Sequence, residues 1–235
     1  MLLQHFRHDS VEHFERLTGV LRRAGFRVVI VDQRGEGDST GSLEGLTLHD
    51  LAADIAGVID ALDCAPAHVL GHAFDNRIAR CLAADRPEVV RSLVLLAAGW
   101  IVGPVPEAQT AIATMLGADA SERERLQATQ TAIYSPSTKV AASLRDWEGI
   151  TAFAAALTAA NNSTPLDDWW EGGQAPMLVV QGLDDRVAPP ENGRVLRERL
   201  GDRVRLVEIP SAGHILLPEQ PEAVVSAVIS FLREE

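Results

Sequence analysis

The chain has 235 residues, 46% of them hydrophobic and 23% charged, with a formal net charge of -12 at pH 7. Such a chain buries a sizeable core and fits one large α/β domain or two small ones. Its acidity repels phosphate backbones and anionic lipid, so nucleic acid and membrane surfaces are excluded as expected partners.

No run of eighteen apolar residues occurs, and no basic segment leads into an apolar stretch with a small-residue cleavage site. A transmembrane helix and a secretory signal are therefore not expected. Cys64 and Cys81 lack metal-site spacing and are too few for a disulfide framework. Reduced core thiols, a cytoplasmic location and no metal are the matching expectations.

In chain order, Met1–His5 is a short apolar strand candidate, and Phe14–Gly25 has helical spacing closed by Gly25. Arg27–Asp32 (RVVIVD) is a β-branched run too short for a helix, hence a buried parallel strand. Residues 33–46 are rich in Gly, Ser and Asp and read as a loop. Thr47 caps a helix to about Leu62, with Leu48, Leu51, Ile55, Val58, Ile59 and Leu62 on one face. Ala67–Leu70 is strand, Gly71–Asn76 a tight turn and Arg77–Asp85 helix. Val89–Ala97, Pro176–Gln181 and Arg203–Ile209 are further strands, and Pro221–Arg233 is a closing amphipathic helix.

Strand and helix alternating in this way predict a doubly wound, mostly parallel sheet. Gly99–Gly173 interrupts the alternation with an Ala-rich segment of helical period. It is expected to be a helical cap (99–173) on a single-domain core made of 1–98 and 174–235, over the carboxyl edge where open α/β sheets bind ligands.

The turn after Ala67–Leu70 reads Gly71-His72-Ala73-Phe74-Asp75. A Gly-x-nucleophile-x-Gly elbow between strand and helix lifts a nucleophile off the sheet and turns the next backbone N–H into an oxyanion donor. Here Ala73 stands at the nucleophile position and Asp75 at the second glycine. Taken alone, the pentapeptide is equally an ordinary β–α turn. After Met177–Gln181 comes Gly182-Leu183-Asp184-Asp185, which offers Asp185, with Asp184 in reserve, as the acid of a triad. After the last strand comes Ala212-Gly213-His214. The chain order of nucleophile position, acid and histidine is that of a hydrolytic triad. Gly35 and Gly37 mimic a dinucleotide loop, but Thr40 holds the third glycine position and the helix waits until Thr47. A pyrophosphate needs the helix N-terminus directly after the glycines, so no nucleotide cofactor, and no other, is expected.

Together, Asp32-Gln33-Arg34-Gly35-Glu36-Gly37-Asp38-Ser39, the elbow, the acid loop and the Gly-His turn resemble the α/β-hydrolase superfamily. The likeness is to its capped serine hydrolases, which include esterases, lactonases and carbon–carbon bond hydrolases. It specifies a fold well and a substrate poorly. The Gly-His-Ala-Phe elbow resembles a branch in which alanine occurs naturally, and an inactivated Ser-to-Ala variant would read the same. By the same resemblance, His5-Phe6-Arg7-His8 corresponds to the oxyanion loop, with Phe6 at a usual glycine, and Phe6, Arg7, His72 and Phe74 are its oxyanion and binding candidates. The family's two antiparallel strands before that loop have no counterpart. That leaves Arg27–Asp32 as an open edge able to pair in a homodimer.

Without a nucleophile, an Asp185–His214 dyad can still activate water. Asp75 is a weaker alternative nucleophile, because it sits past the apex, where an acid beside a helix start is commonplace. The expected activity is hydrolysis or lysis of a small apolar ester, lactone or ketone. A non-catalytic ligand-binding protein and a scaffold with a vestigial pocket are the alternatives. Trp100, Phe153, Trp169 and Trp170 can line an apolar cavity or pack the cap, and core packing is the expected job for most of them.

Overall fold

The computed structural model describes residues 2–4, 11–117, 119–138 and 147–235, of which 2–4, 11–13 and 147–153 are described by their backbone. Strands β1 (Leu2–Gln4), β2 (Val29–Val31), β3 (Ala67–His72), β4 (Val90–Leu96), β5 (Met177–Gly182) and β6 (Val204–Ile209) form one sheet in the order β2-β1-β3-β4-β5-β6. All five pairings are parallel.

Parallel neighbouring strands need crossover connections, which the helices supply. Helix α1 (Val11–Arg23) carries the chain outward from β1 to β2, and α2 (Leu48–Ala61) brings it back to β3. Reversing direction puts the two on opposite faces. α3 (Asp75–Asp85) continues on the α2 side: Leu51, Ile55, Ile78 and Leu82 share one core with Val69 and Leu93. On the other face Leu17 and Leu21 of α1 pack with Val224, Val228 and Phe231 against Leu70, Val94 and Val180.

Helix α2 begins as its sequence predicts. Thr47 accepts a hydrogen bond from the Asp50 N–H while the Asp50 carboxylate accepts one from the Thr47 N–H at 2.8 Å. Such a capping box stabilises a helix start by about 1 kcal/mol. Among the described residues of 99–173 there is no strand; α4 (Pro106–Leu116), α5 (Glu122–Ile133) and α6 (Trp147–Ser163) fill the insertion. The chain then forms α7 (Glu191–Leu200), α8 (Leu216–Glu219) and α9 (Pro221–Glu234).

Two expectations need correction. The edge strand pairs only over Val29–Val31, less than the predicted Arg27–Asp32. The predicted turn Gly71–Asn76 is far tighter, because β3 runs to His72 and α3 starts at Asp75. Trp169 and Trp170 are buried in the main core beside Leu157, whereas Trp100 is 41% exposed. Helix α7 was not predicted. Among the described residues, no helix is long and apolar enough to cross a membrane.

Candidate active site

Strand register brings the chemistry to one edge. His72 pairs with Leu96, Leu96 with Val180, and Gly182 with Ile209. Strands β3 to β6 thus end close together along one edge of the sheet, where the loops after β3, β5 and β6 emerge.

At the end of β3 the chain reverses through Ala73, whose φ is +52°. A β-carbon in the left-handed region costs about 1–2 kcal/mol, so this conformation must be held by its surroundings. Asn76 holds it: its Nδ2 donates to the carbonyl oxygens of Ala73 and, at 3.2 Å, Ala97. Arg80, fully buried one turn later, donates to Asn76 Oδ1 at 2.8 Å and to the carbonyls of Trp170 and Gly99. Its guanidinium lies 4.7 Å from the Trp169 ring, and burial pushes its pKa down to about 9. Gly71 is required by close approach, since a β-carbon there would lie 2.5 Å from the Asp75 carbonyl. Asn76 and Arg80 escaped the sequence reading; their only sequence signal is a one-turn spacing.

After β5, Asp185 Oδ1 accepts the N–H groups of Val187 at 2.9 Å and Ala188 at 2.8 Å. Its Oδ2 lies 2.9 Å from His214 Nδ1, with side-chain exposures of 0% for Asp185 and 12% for His214. Asp184 points elsewhere and accepts from Ser135 Oγ at 2.7 Å. Of the two acids predicted for this loop, Asp185 is therefore the one paired with the histidine. His72 Nε2–H donates to the His214 carbonyl at 2.7 Å, and the two rings are 5.4 Å apart. That ties the residue before the elbow apex to the backbone of the histidine loop, a positioning contact.

Asp75 is not exposed at the apex. It opens α3 with no accessible surface, and Gln33 Nε2 donates to its Oδ1. Burial pushes its carboxyl up to about 8; the Gln33 hydrogen bond opposes the rise and the charge of Glu36 adds to it. The acid is thus largely neutral at pH 7. This burial opposes the sequence-based role of an anion at the helix start. Phe74 is half-buried, and the Arg77 guanidinium sits 5.0 Å from its ring and 4.4 Å from that of Trp100. Phe6 and Arg7, the other predicted oxyanion candidates, lie outside the described residues, as do His5 and His8.

A model of the alpha/beta hydrolase family matches residues 5–227. The chain belongs to that family. BpoC of Mycobacterium tuberculosis, whose name gives non-heme bromoperoxidase as a provisional activity, is 30% identical over 220 residues, covering 88% of this chain and 83% of BpoC. Its crystal structure matches with a TM-score of 0.76 at 26% identity, over 99% of this chain and 91% of that one. RutD of Variovorax paradoxus, named provisionally a carbamate hydrolase, is 30% identical over 216 residues, 87% of this chain and 80% of its own. An esterase of Exiguobacterium antarcticum shares the fold, with a TM-score of 0.77 at 21% identity over 99% of this chain and 91% of that one. This family member therefore has hydrolases among its relatives.

Proposed function

We propose that the protein is a hydrolase of small apolar esters, lactones or ketones in which Asp185 and His214 activate water, because the elbow apex is Ala73. The observation that carries this reading is the Asp185–His214 pair. A carboxylate shut away from solvent, anchored by two backbone N–H groups and 2.9 Å from Nδ1, orients the imidazole so that Nε2, without a partner among the described residues, acts as the base. Nε2 takes a proton from water as its oxygen attacks the substrate carbonyl. The N–H of Phe74, just past the apex, and the segment of Phe6 and Arg7 receive the oxyanion. His214 then returns the proton to the leaving group. Helices α4–α6 serve as the cap over this edge, supported by the hydrogen bond from the His214 N–H to the Ile133 carbonyl at 2.7 Å. Ala73, which offers a methyl group at the apex, favours a second reading, a ligand-binding protein without turnover.

The test is a screen of nitrophenyl esters of graded chain length. Turnover should be slow, since a triad without its nucleophile retains roughly 10³–10⁴-fold over water. His214→Ala should remove nearly all of it, and Asp185→Ala added to that variant should cost little more, because groups acting as a unit are non-additive. Losses that multiply would separate the two residues, and no turnover on any ester would favour the binding protein.

A further inference from the structure

Away from the elbow, a second group of chemically capable side chains converges from α2 and α3. His49 lies in the first turn of α2, and Cys81 and Asp85 stand one turn apart on α3. His49 Nδ1 is 2.8 Å from Asp85 Oδ2, Cys81 Sγ is 3.5 Å from that Nδ1, and Sγ is 3.6 Å from that Oδ2. All three atoms fall within 4.8 Å of one another. A tetrahedral zinc ion, with bonds of about 2.3 Å to sulfur and about 2.0–2.1 Å to nitrogen and oxygen, spaces its ligand atoms about 3.3–3.6 Å apart. Both edges to sulfur already have that length. Only the nitrogen–oxygen edge, now a hydrogen bond, must open, by about half an ångström.

A fourth residue completes the pattern. Asp168 Oδ2 lies 3.4 Å from His49 Nε2, the ring nitrogen facing away from the other two groups. A carboxylate on the far nitrogen is how metal-binding imidazoles are oriented and kept in the tautomer that presents the opposite lone pair. The side chains of His49, Asp85 and Asp168 are 40%, 34% and 44% exposed, so an ion can enter from solvent, while Cys81 forms the buried wall. One thiol, one imidazole and one carboxylate form a donor set suited to Zn²⁺ and unsuited to Mg²⁺ or Ca²⁺, which take oxygen.

We propose that His49, Cys81 and Asp85 bind a Zn²⁺ ion, with Asp168 orienting the imidazole and solvent completing the coordination. The thiol proton is released to solvent on binding. The ion would pin α2 to α3 and draw in the 3-10 turn Leu166–Asp168 that follows α6. Asp85 ends the helix that Asp75 begins, so the site stands about 15 Å along α3 from the elbow and has a structural role. It rests on none of the assignments made to Ala73, Asp185 or His214. Sequence spacing concealed it, because position 49 meets positions 81 and 85 only when α2 packs on α3.

The test uses the full chain stripped of metal with EDTA and titrated with Co²⁺ by absorption and with Zn²⁺ by calorimetry and thermal denaturation. One equivalent of Co²⁺ should produce a thiolate-to-cobalt charge-transfer band. The band should vanish in Cys81→Ser and persist in Cys64→Ser and His214→Ala. Zn²⁺ should raise the Tm of the wild type. Its affinity should fall about tenfold or more in His49→Gln and Asp85→Asn, and about 10–100-fold in Asp168→Asn. If Cys81→Ser does not fold, the partly exposed His49→Gln and Asp85→Asn decide the matter. Absence of the band, its survival in Cys81→Ser, or unchanged affinity in both His49→Gln and Asp85→Asn would overturn the proposal and leave an ion-pair cluster.

Discussion

Ala73 and Asp75 sit two residues apart and respond to opposite pressures. Ala73 is strained because it carries a β-carbon at φ +52° and is braced by Asn76. On the proposed function, a hydroxyl placed there would be activated by the Asp185–His214 pair, so Ala73→Ser alone should be labelled by a fluorophosphonate probe at pH 7. Absence of labelling in a folded variant would mean that His214 or the oxyanion donors are misplaced for acyl transfer. Asp75 is buried, and its folded pKa of about 8 stands far above the ordinary carboxylate value. Between pH 4 and pH 8 the folded state keeps a proton that the unfolded chain has lost. Stability contributed by that proton is complete below pH 4 and declines as pH rises through 8. Asp75→Asn, which keeps a neutral side chain, should therefore gain on the wild type with rising pH, by up to about 1.4 kcal/mol per unit. Thermal denaturation at pH 5 and pH 8 checks this; equal differences at both would mean that Asp75 ionises normally. The letters of the elbow were legible in sequence, but the raised pKa of Asp75 was not, because it comes from burial of the carboxyl, which exists only once the chain has folded.

The loops after β5 and β6 are clasped to the end of α5. The His214 N–H donates to the Ile133 carbonyl at 2.7 Å, and Glu219 accepts from Gly213 N–H at 2.6 Å and Ser135 N–H at 2.8 Å. Ser135 Oγ in turn reaches Asp184 at 2.7 Å. A β-carbon on Gly213 would lie 2.6 Å from the Ile133 carbonyl oxygen and 2.7 Å from the Ser135 nitrogen. Both are backbone atoms that cannot rotate aside. Gly213→Ala should thus cost about 1–3 kcal/mol by overpacking and should lower any turnover by shifting His214. Unchanged stability in urea denaturation would show that 133–135 yields freely. The Gly-His pair was recognisable as a motif, yet the need for its glycine comes from a helix 80 residues earlier in the chain. Helix starts marked by local chemistry, such as the Thr47 capping box, were readable; the start of α3 was not, because a single left-handed residue replaces the longer turn that sequence suggested.

At the scale of the molecule, β2 forms one margin of the described sheet, and Ile30 is 36% exposed on it. An apolar β-branched edge invites pairing with another chain. The proposed homodimer through this edge predicts a dimeric mass by light scattering at micromolar concentration and a monomeric one for Ile30→Lys, whose charge blunts the edge. A monomeric wild type would end that proposal. The doubly wound order of strands, the helical insertion and the placing of Asp185 and His214 after consecutive strands were all determined by sequence. Periodicity, turn residues and chain order are local properties, and handedness leaves few ways to connect them. Tertiary structure alone decided that Asp75 is shut away from solvent with its pKa raised, that Asn76 and Arg80 brace the elbow and that His49 lies beside Cys81. Each of these depends on distances and burial between segments remote in the chain, and neither exists until the helices have closed on the sheet.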